Sequence, residues 1–157
     1  MAYSEPFLRE AIRLSQEKMD ANEGGPFGAV IVKDGEIISK GWNCVTSAND
    51  PTAHGEISAI RNACEKLGTF TLEGCDIYSS CEPCPMCMAA IYWARLDACY
   101  FAGSMADAAD AGFDDRELYA EIARPWTDRN IAMKQALQAE AQHVFNAWKN
   151  KSDKILY

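Results

Sequence analysis

The chain has 157 residues, 48% of them hydrophobic, which is enough apolar material for one globular domain with a substantial core. Its formal charge of −8 disfavours a nucleic-acid partner, because a negatively charged chain repels a polyanion. The lysines and arginines are also scattered along the chain and do not form a basic cluster. Neither a membrane-spanning apolar stretch nor the apolar run of a signal peptide is present, and the seven cysteines lack the spacing of a disulfide scaffold. We therefore expect a cytoplasmic protein with reduced thiols and no membrane partner.

Hydrophobic periodicity predicts helices over residues 4–21, 53–67, 83–95, 114–123 and 130–149, and strands over residues 27–33, 36–42, 75–80 and 98–102. Asp34-Gly35 between the first two strands is typical of a tight hairpin turn. The segment 103–112, rich in Ala, Asp and Gly, predicts a surface loop. An initial hairpin followed by alternating helices and strands predicts an α/β fold, a three-layer α-β-α sandwich with a mixed central sheet.

Two short motifs carry the chemistry. His54-Gly-Glu56 opens one predicted helix, and Pro83-Cys84-Pro-Met-Cys87 opens the next. Either half alone is ambiguous, since a C-x-x-C pair can be a redox disulfide, half of a structural zinc site or two buried thiols. Together they form the H-x-E and P-C-x-x-C signature of zinc-dependent nucleobase deaminases.

The number of ligands favours catalysis over a structural role. A structural zinc site has four protein ligands, whereas His54, Cys84 and Cys87 supply three and leave a position for water. Zinc lowers the pKa of such a water from about 16 toward about 7. Glu56 is not needed as a ligand, and its carboxylate can move protons to the ring nitrogen and the departing amine.

Longer segments of the sequence resemble one group of deaminases in particular. Residues 24–35, 49–54, 80–87, 90–95 and 111–115 closely resemble bacterial guanine deaminases of the cytidine deaminase-like superfamily, and the similarity runs nearly end to end. The metal motifs alone would fit the whole superfamily, whereas segments 90–95 and 111–115 and the terminal Tyr157 favour the guanine branch. One departure is Gly55, which stands where that family usually has alanine.

The resemblance implies a cytidine deaminase-like fold, a Zn²⁺ cofactor, and hydrolysis of guanine to xanthine and ammonia. It also implies a single deaminase domain over residues 1–157 that forms a homodimer with an exchanged C-terminal segment. The implied site residues are His54, Cys84 and Cys87 for zinc, Glu56 and Asp115 for catalysis, and Phe27, Asn43, Trp93 and Tyr157 for the purine, with Tyr157 coming from the partner subunit.

Other functions stay open at this stage. Guanosine or another aminated heterocycle, such as a triazine, could occupy the same pocket. Deamination of tRNA adenosine shares the metal motifs but predicts a basic face, which this acidic chain lacks. A zinc-stabilised binding module without activity would have little need for Glu56.

Overall fold

The computed structural model describes residues 2–157, which form two compact units divided after Arg116. In chain order the elements of the first unit are α1 (Glu5–Asp20), β1 (Gly28–Lys33), β2 (Glu36–Trp42), α2 (Val45–Ala48), α3 (Gly55–Leu67), β3 (Cys75–Cys81), α4 (Pro85–Trp93), β4 (Ala98–Gly103) and α5 (Met105–Asp110). Helix α6 (Arg116–Ala123) begins at the boundary. The second unit then contains a 3-10 turn (Trp126–Asp128) and helix α7 (Gln138–Asn150).

Within the described residues, the strands form one four-stranded sheet in the order β2-β1-β3-β4. Strand β1 is antiparallel to both β2 and β3, whereas β3 and β4 are parallel, so the sheet is mixed. The β1–β2 connection is the predicted hairpin. Asp34 and Gly35 both have positive φ, at 52° and 82°, as a two-residue turn between right-handed twisted strands requires.

Helices cover both faces of this sheet. On one face, Ala11 of α1 packs with Val30, Val32 and Tyr78. The opposite face carries α3 and α4, whose buried residues join those of the strands in one cluster: Ala29, Ile31, Ala59, Ala63, Leu72, Cys75, Ile77, Ile91 and Ala94. The predicted three-layer fold is confirmed.

Close packing fixes α3 against the sheet. A Cβ atom added to Gly41 in β2 would lie 2.2 Å from the backbone nitrogen of Ala59 and 2.3 Å from the carbonyl oxygen of Gly55. Only glycine allows the strand and the helix to approach this closely. This contact sets the position of the first turn of α3, where the first metal motif lies.

The structure corrects the predicted loop at 103–112 and the predicted start of the last helix. Segment 103–112 contains helix α5, because Ser104 and Asp107 form a capping box in which each side chain bonds the other's backbone N–H. The last helix begins at Gln138 rather than at Asn130. Leu137 has a left-handed backbone (φ 55°), and Asn130 is held by Glu121, which accepts a hydrogen bond from its N–H at 2.7 Å.

Candidate metal centre

The two metal motifs lie at the N-termini of neighbouring helices. His54 is the residue that precedes α3, and Cys84 is the residue that precedes α4. Pro85, rather than the predicted Pro83, occupies the first helical position of α4, where its missing N–H costs no hydrogen bond. The positive ends of both helix dipoles therefore stabilise negative charge at this point.

Three donor atoms converge there. The Nδ1 atom of His54 lies 3.5 Å from the sulfur of Cys84 and 3.5 Å from the sulfur of Cys87, and all three donor atoms lie within 4.8 Å of one another. Zinc bonds of about 2.3 Å to sulfur and 2.0–2.1 Å to nitrogen, arranged as a tetrahedron, place N and S about 3.5 Å apart. Both nitrogen–sulfur distances therefore match those of a tetrahedral zinc site.

The electrostatics also favour a cation. Hydrogen bonds from Cys87 and then from His54 lower the pKa of the Cys84 thiol to about 4. The pKa of Cys87 is raised, first by its hydrogen bond to Cys84 and then by burial and the charge of Glu56. A second thiolate in this buried, acidic cluster would be repelled, and a divalent cation offsets that repulsion.

Glu56 lies beside the donor cluster in the first turn of α3. Its side chain is 6% exposed, its Oε1 accepts a hydrogen bond from the Ser79 hydroxyl at 2.8 Å, and its Oε2 accepts one from the Cys87 thiol at 3.3 Å. Burial raises the pKa of this carboxyl above its ordinary value. A carboxyl that is held in place and near protonation suits a proton carrier.

Asp115 follows α5 and also approaches the cluster. Burial, followed by the negative charge of Cys84, raises the pKa of its carboxyl. Its Oδ1 atom is buried and accepts no hydrogen bond from any other described residue. A buried oxygen without a hydrogen bond costs free energy of desolvation, and a ligand that donates a hydrogen bond to it would remove that cost.

Phe27 and Asn43 lie together beside the α3 N-terminus. The Asn43 N–H donates to the Phe27 carbonyl oxygen at 3.0 Å, and the next residue, Cys44, donates to the Ala53 carbonyl oxygen at 2.9 Å. A Cβ atom at Gly55 would lie 3.3 Å from the same Phe27 oxygen, so alanine there would require a shift of a few tenths of an ångström. Both predicted purine contacts are thus placed beside the metal helices.

Of the other two predicted contacts, Trp93 belongs to the first unit and lies away from this cluster. Trp93 ends α4, nine residues after Cys84 and about 13 Å further along the helix axis. It is 66% exposed and lines a surface groove with Ala89, Tyr92 and Arg95. Tyr157 belongs to the second unit and is 71% exposed.

Two residues near the site were not identified from the sequence. Ser79 orients Glu56, and its place in a buried strand gives no sign of that role. Phe113 packs its ring edge-on against Phe27, with centroids 4.9 Å apart, and so connects the loop that carries Asp115 to the predicted purine contact. Its position inside segment 111–115 was the available signal.

A buried carboxylate beside one imidazole and two thiols, on a mixed sheet between helical layers, defines a metal-dependent hydrolytic deaminase site. The family model for the cytidine and deoxycytidylate deaminase zinc-binding region matches residues 1–103. The chain belongs to this family.

Sequence similarity outside the metal motifs distinguishes between members of this family. The chain is 52% identical to guanine deaminase of Bacillus subtilis over 98% of both chains. It also superposes on the X-ray structure of a B. subtilis guanine deaminase with a TM-score of 0.96, at 51% identity and 99% coverage of both. The tRNA-specific adenosine deaminase of Aquifex aeolicus is 46% identical over 62% of this chain and 64% of that one. The similarity to guanine deaminase therefore extends through the second unit, whereas this similarity to the tRNA enzyme does not span the whole chain.

Proposed function

We propose that this protein catalyses the hydrolytic deamination of guanine. Water adds to C2 of the purine, the bond from C2 to the exocyclic nitrogen breaks, and xanthine and ammonia are released. The observation that carries this proposal is the buried Glu56 carboxylate beside a three-donor metal cluster. The full-length similarity to guanine deaminase supports the choice of substrate.

The metal is Zn²⁺, held by His54, Cys84 and Cys87. The 3.5 Å spacing of nitrogen and sulfur and the soft thiolate donors support this assignment. When bound, zinc supplies a Lewis acid that lowers the pKa of a coordinated water.

Glu56 moves the protons of the reaction. One of its oxygens is held by Ser79, and the other faces Cys87, so its position relative to the metal ligands is set before substrate arrives. It accepts one proton from the attacking water and delivers it to N3 of the purine. It then accepts the proton of the new C2 hydroxyl group and delivers it to the departing amine, so that both protons of the water are used. Because the pKa of Glu56 is raised, its protonated and ionised forms differ less in free energy near neutral pH.

Asp115 assists at the amino group. Its buried Oδ1 can accept a hydrogen bond from the exocyclic amine, and its raised pKa allows the carboxyl to hold a proton for the leaving group. Phe27 packs on the plane of the purine, and Asn43 bonds its edge. Buried polar groups left unpaired by adenine would penalise that base relative to guanine.

The working unit is a homodimer in which C-terminal segments are exchanged. Two features support it: the apolar side chains of the second unit are exposed, and so are the aromatic rings of Tyr92 and Trp93 in the surface groove of α4. Tyr157 then closes the pocket of the partner subunit, and Trp93 completes a purine site from the surface of α4. Such closure excludes water from the reacting atoms.

We also place the protein in the cytoplasm. None of the seven cysteines, all of which lie in the described part of the chain, forms a disulfide, as is expected in a reducing compartment. Within residues 2–157, no helix has the length and apolar character needed to cross a membrane.

A substrate panel tests the proposal. Purified protein loaded with zinc is incubated with guanine, guanosine, adenine, cytosine, cytidine and ammeline, and ammonia release is measured. We expect guanine to have the highest kcat/KM. Preference for guanosine or ammeline would change the substrate but keep the chemistry, and release of ammonia from none of the six would favour a non-catalytic binding module.

A further inference from the structure

The turn between α1 and β1 is bonded to Asn43 in a closed ring of hydrogen bonds. The Gly25 N–H donates to Oδ1 of Asn43 at 3.2 Å, and the Phe27 N–H donates to the Gly25 carbonyl oxygen at 2.8 Å. The ring closes through the Asn43 N–H, which donates to the Phe27 carbonyl oxygen at 3.0 Å. The turn therefore fixes the positions of Phe27 and Asn43 relative to each other.

The same contacts decide which way the amide of Asn43 points. A second backbone donor, the N–H of Val45, also lies 3.2 Å from Oδ1. Two N–H groups can point at the oxygen but not at the NH₂ group, so the network fixes the orientation of the amide. With Oδ1 bonded to both backbone donors, the Nδ2 group of Asn43 is directed away from them, in a residue that is only 9% exposed.

Gly24 is the residue that this arrangement depends on sterically. A Cβ atom added there would lie 1.8 Å from the backbone carbonyl oxygen of Asn43 and 2.9 Å from its Oδ1. At Gly25 the added atom would make ordinary contacts, 3.4 Å from the Phe27 ring and 3.7 Å from Cγ of Asn43. Neither glycine has positive φ, so the two positions differ in their contacts and not in backbone conformation.

We propose that the Gly24-Gly25 turn is a positioning element that makes Asn43 present its amide donor, and not its carbonyl oxygen, to the bound heterocycle. The site then selects substrates whose ring edge carries a lone-pair acceptor facing Asn43, and it rejects analogues that have C–H at that place. This inference rests on the proposed function, because it takes Asn43 as a contact to the purine edge.

The first experiment is Asn43→Asp. The carboxylate keeps the shape of the side chain and can accept both backbone hydrogen bonds, but it has no donor and repels an acceptor on the ligand. We expect kcat/KM for guanine to fall at least about tenfold, chiefly through KM, with zinc content unchanged.

Inhibition by guanine analogues gives a readout that loss of structure would not reproduce. The competitive inhibition constants of 3-deazaguanine, 7-deazaguanine and 2-aminopurine are measured with the native chain and with Asn43→Asp. The native chain should bind the analogue that lacks the acceptor facing Asn43 at least about tenfold more weakly than the others. Asn43→Asp should bind that same analogue as tightly as the native chain does. An equal loss for all analogues, or unchanged binding of guanine, would overturn the proposal.

The neighbouring glycines provide the matched control. Gly24→Ala should raise KM for guanine at least about tenfold while kcat changes by less than about threefold, and Gly25→Ala should raise KM by a smaller factor, because its added Cβ makes only ordinary contacts. If Gly24→Ala does not fold, Asn43→Asp with the analogues still decides the question. Native activity on guanine tests the proposed function separately, so an active native chain with a fully active Asn43→Asp variant overturns only this inference.

Discussion

The two units of the chain differ in where their apolar side chains lie. In the first unit, the central strands are sealed between helices, and Ile31 and Ile77 have no exposed surface. In the second unit, none of residues 117–157 is buried. Its large apolar side chains are nevertheless numerous: Leu118, Tyr119, Ile122, Trp126, Ile131, Met133, Leu137, Val144, Phe145, Trp148, Ile155, Leu156 and Tyr157 are all exposed.

This difference separates two tasks. The first unit holds the metal ligands, Glu56 and Asp115 on elements that its own core supports. The second unit leaves its large apolar side chains exposed, and extended apolar surface of this kind is typical of sites that contact a partner. The chemistry is therefore expected to depend on the fold of one chain, and closure of the substrate pocket on assembly of two.

The largest effect should come from Cys84→Ala. Zinc held by two protein ligands binds weakly, so metal and activity should be lost together. Zinc content and ammonia release are measured on the same sample, with Cys64→Ala as the control because that thiol lies outside the donor cluster. A metal-loaded and fully active Cys84→Ala variant would show that the wrong thiol was assigned.

The contrast between the units is tested by the same substitution in each. Ile77→Ala leaves a cavity in a sealed core and should lower the free energy of unfolding by about 2–5 kcal/mol. Ile131 is 79% exposed, and Ile131→Ala should cost less than about 0.5 kcal/mol in the monomer.

Denaturant unfolding at two protein concentrations sharpens this comparison. The effect of Ile77→Ala should not change with concentration, whereas that of Ile131→Ala should grow as dimers form. Equal losses for both variants in the monomer would show that the second unit has a core of its own.

Removal of residues 155–157 should lower kcat/KM for guanine by roughly tenfold, because the pocket would stay open to water. Zinc content should remain unchanged, since the metal helices belong to the other unit. Three-residue truncation also leaves helix α7 intact.

Mixing the truncated chain with the inactive Glu56→Gln chain shows whether the tail acts between subunits. A mixed dimer contains one site with an intact Glu56 and one intact tail, and activity should partly return once subunits exchange. Full activity of the truncated chain alone, or no recovery after confirmed exchange, would contradict the exchanged tail.

The smallest effect concerns the attachment of α1 to the sheet. Glu10 accepts hydrogen bonds from Arg13 at 2.7 Å and from Lys40 of β2 at 2.5 Å, and these bonds lower the pKa of its carboxyl from 4.5 to about 2. Because the pKa is depressed on folding, the stabilisation is present above pH 4.5 and is lost as the pH falls through about 2.

Glu10→Gln should therefore destabilise the protein by about 0.5–1 kcal/mol at neutral pH, since both cationic partners are largely exposed. The difference from the native chain should vanish near pH 2. Glu5→Gln on the same helix is the control, because its partner Arg9 is 75% exposed and the pair does not reach the sheet. A pH-independent difference would contradict the assigned ion pairs.

The sequence predicted those features that short segments determine by themselves. The metal motifs, the Asp34-Gly35 hairpin and the order of strands and helices follow from local spacing and periodicity. The capping box that begins α5 is also local, but a helix of six residues was too short for a periodic signal.

Features that depend on distant packing could not be predicted. The hydrogen bond from Ser79 to Glu56 joins residues 23 positions apart, and the contact between Gly24 and Asn43 depends on how a turn meets the end of β2. The late start of α7 likewise depends on Glu121 holding Asn130. The sequence predicted Trp93 as a purine contact. The observed length of α4 shows that Trp93 lies far along the helix from Cys84.

The central claim is that Glu56 carries protons without holding the metal. Glu56→Gln keeps the side-chain shape and a carbonyl oxygen for the Ser79 hydroxyl, but an amide cannot carry the proton. Xanthine formation from guanine and zinc content are measured on one preparation of each protein. We predict native zinc content with turnover reduced by about 10²- to 10⁴-fold. Normal zinc content with turnover close to the native rate would contradict the account.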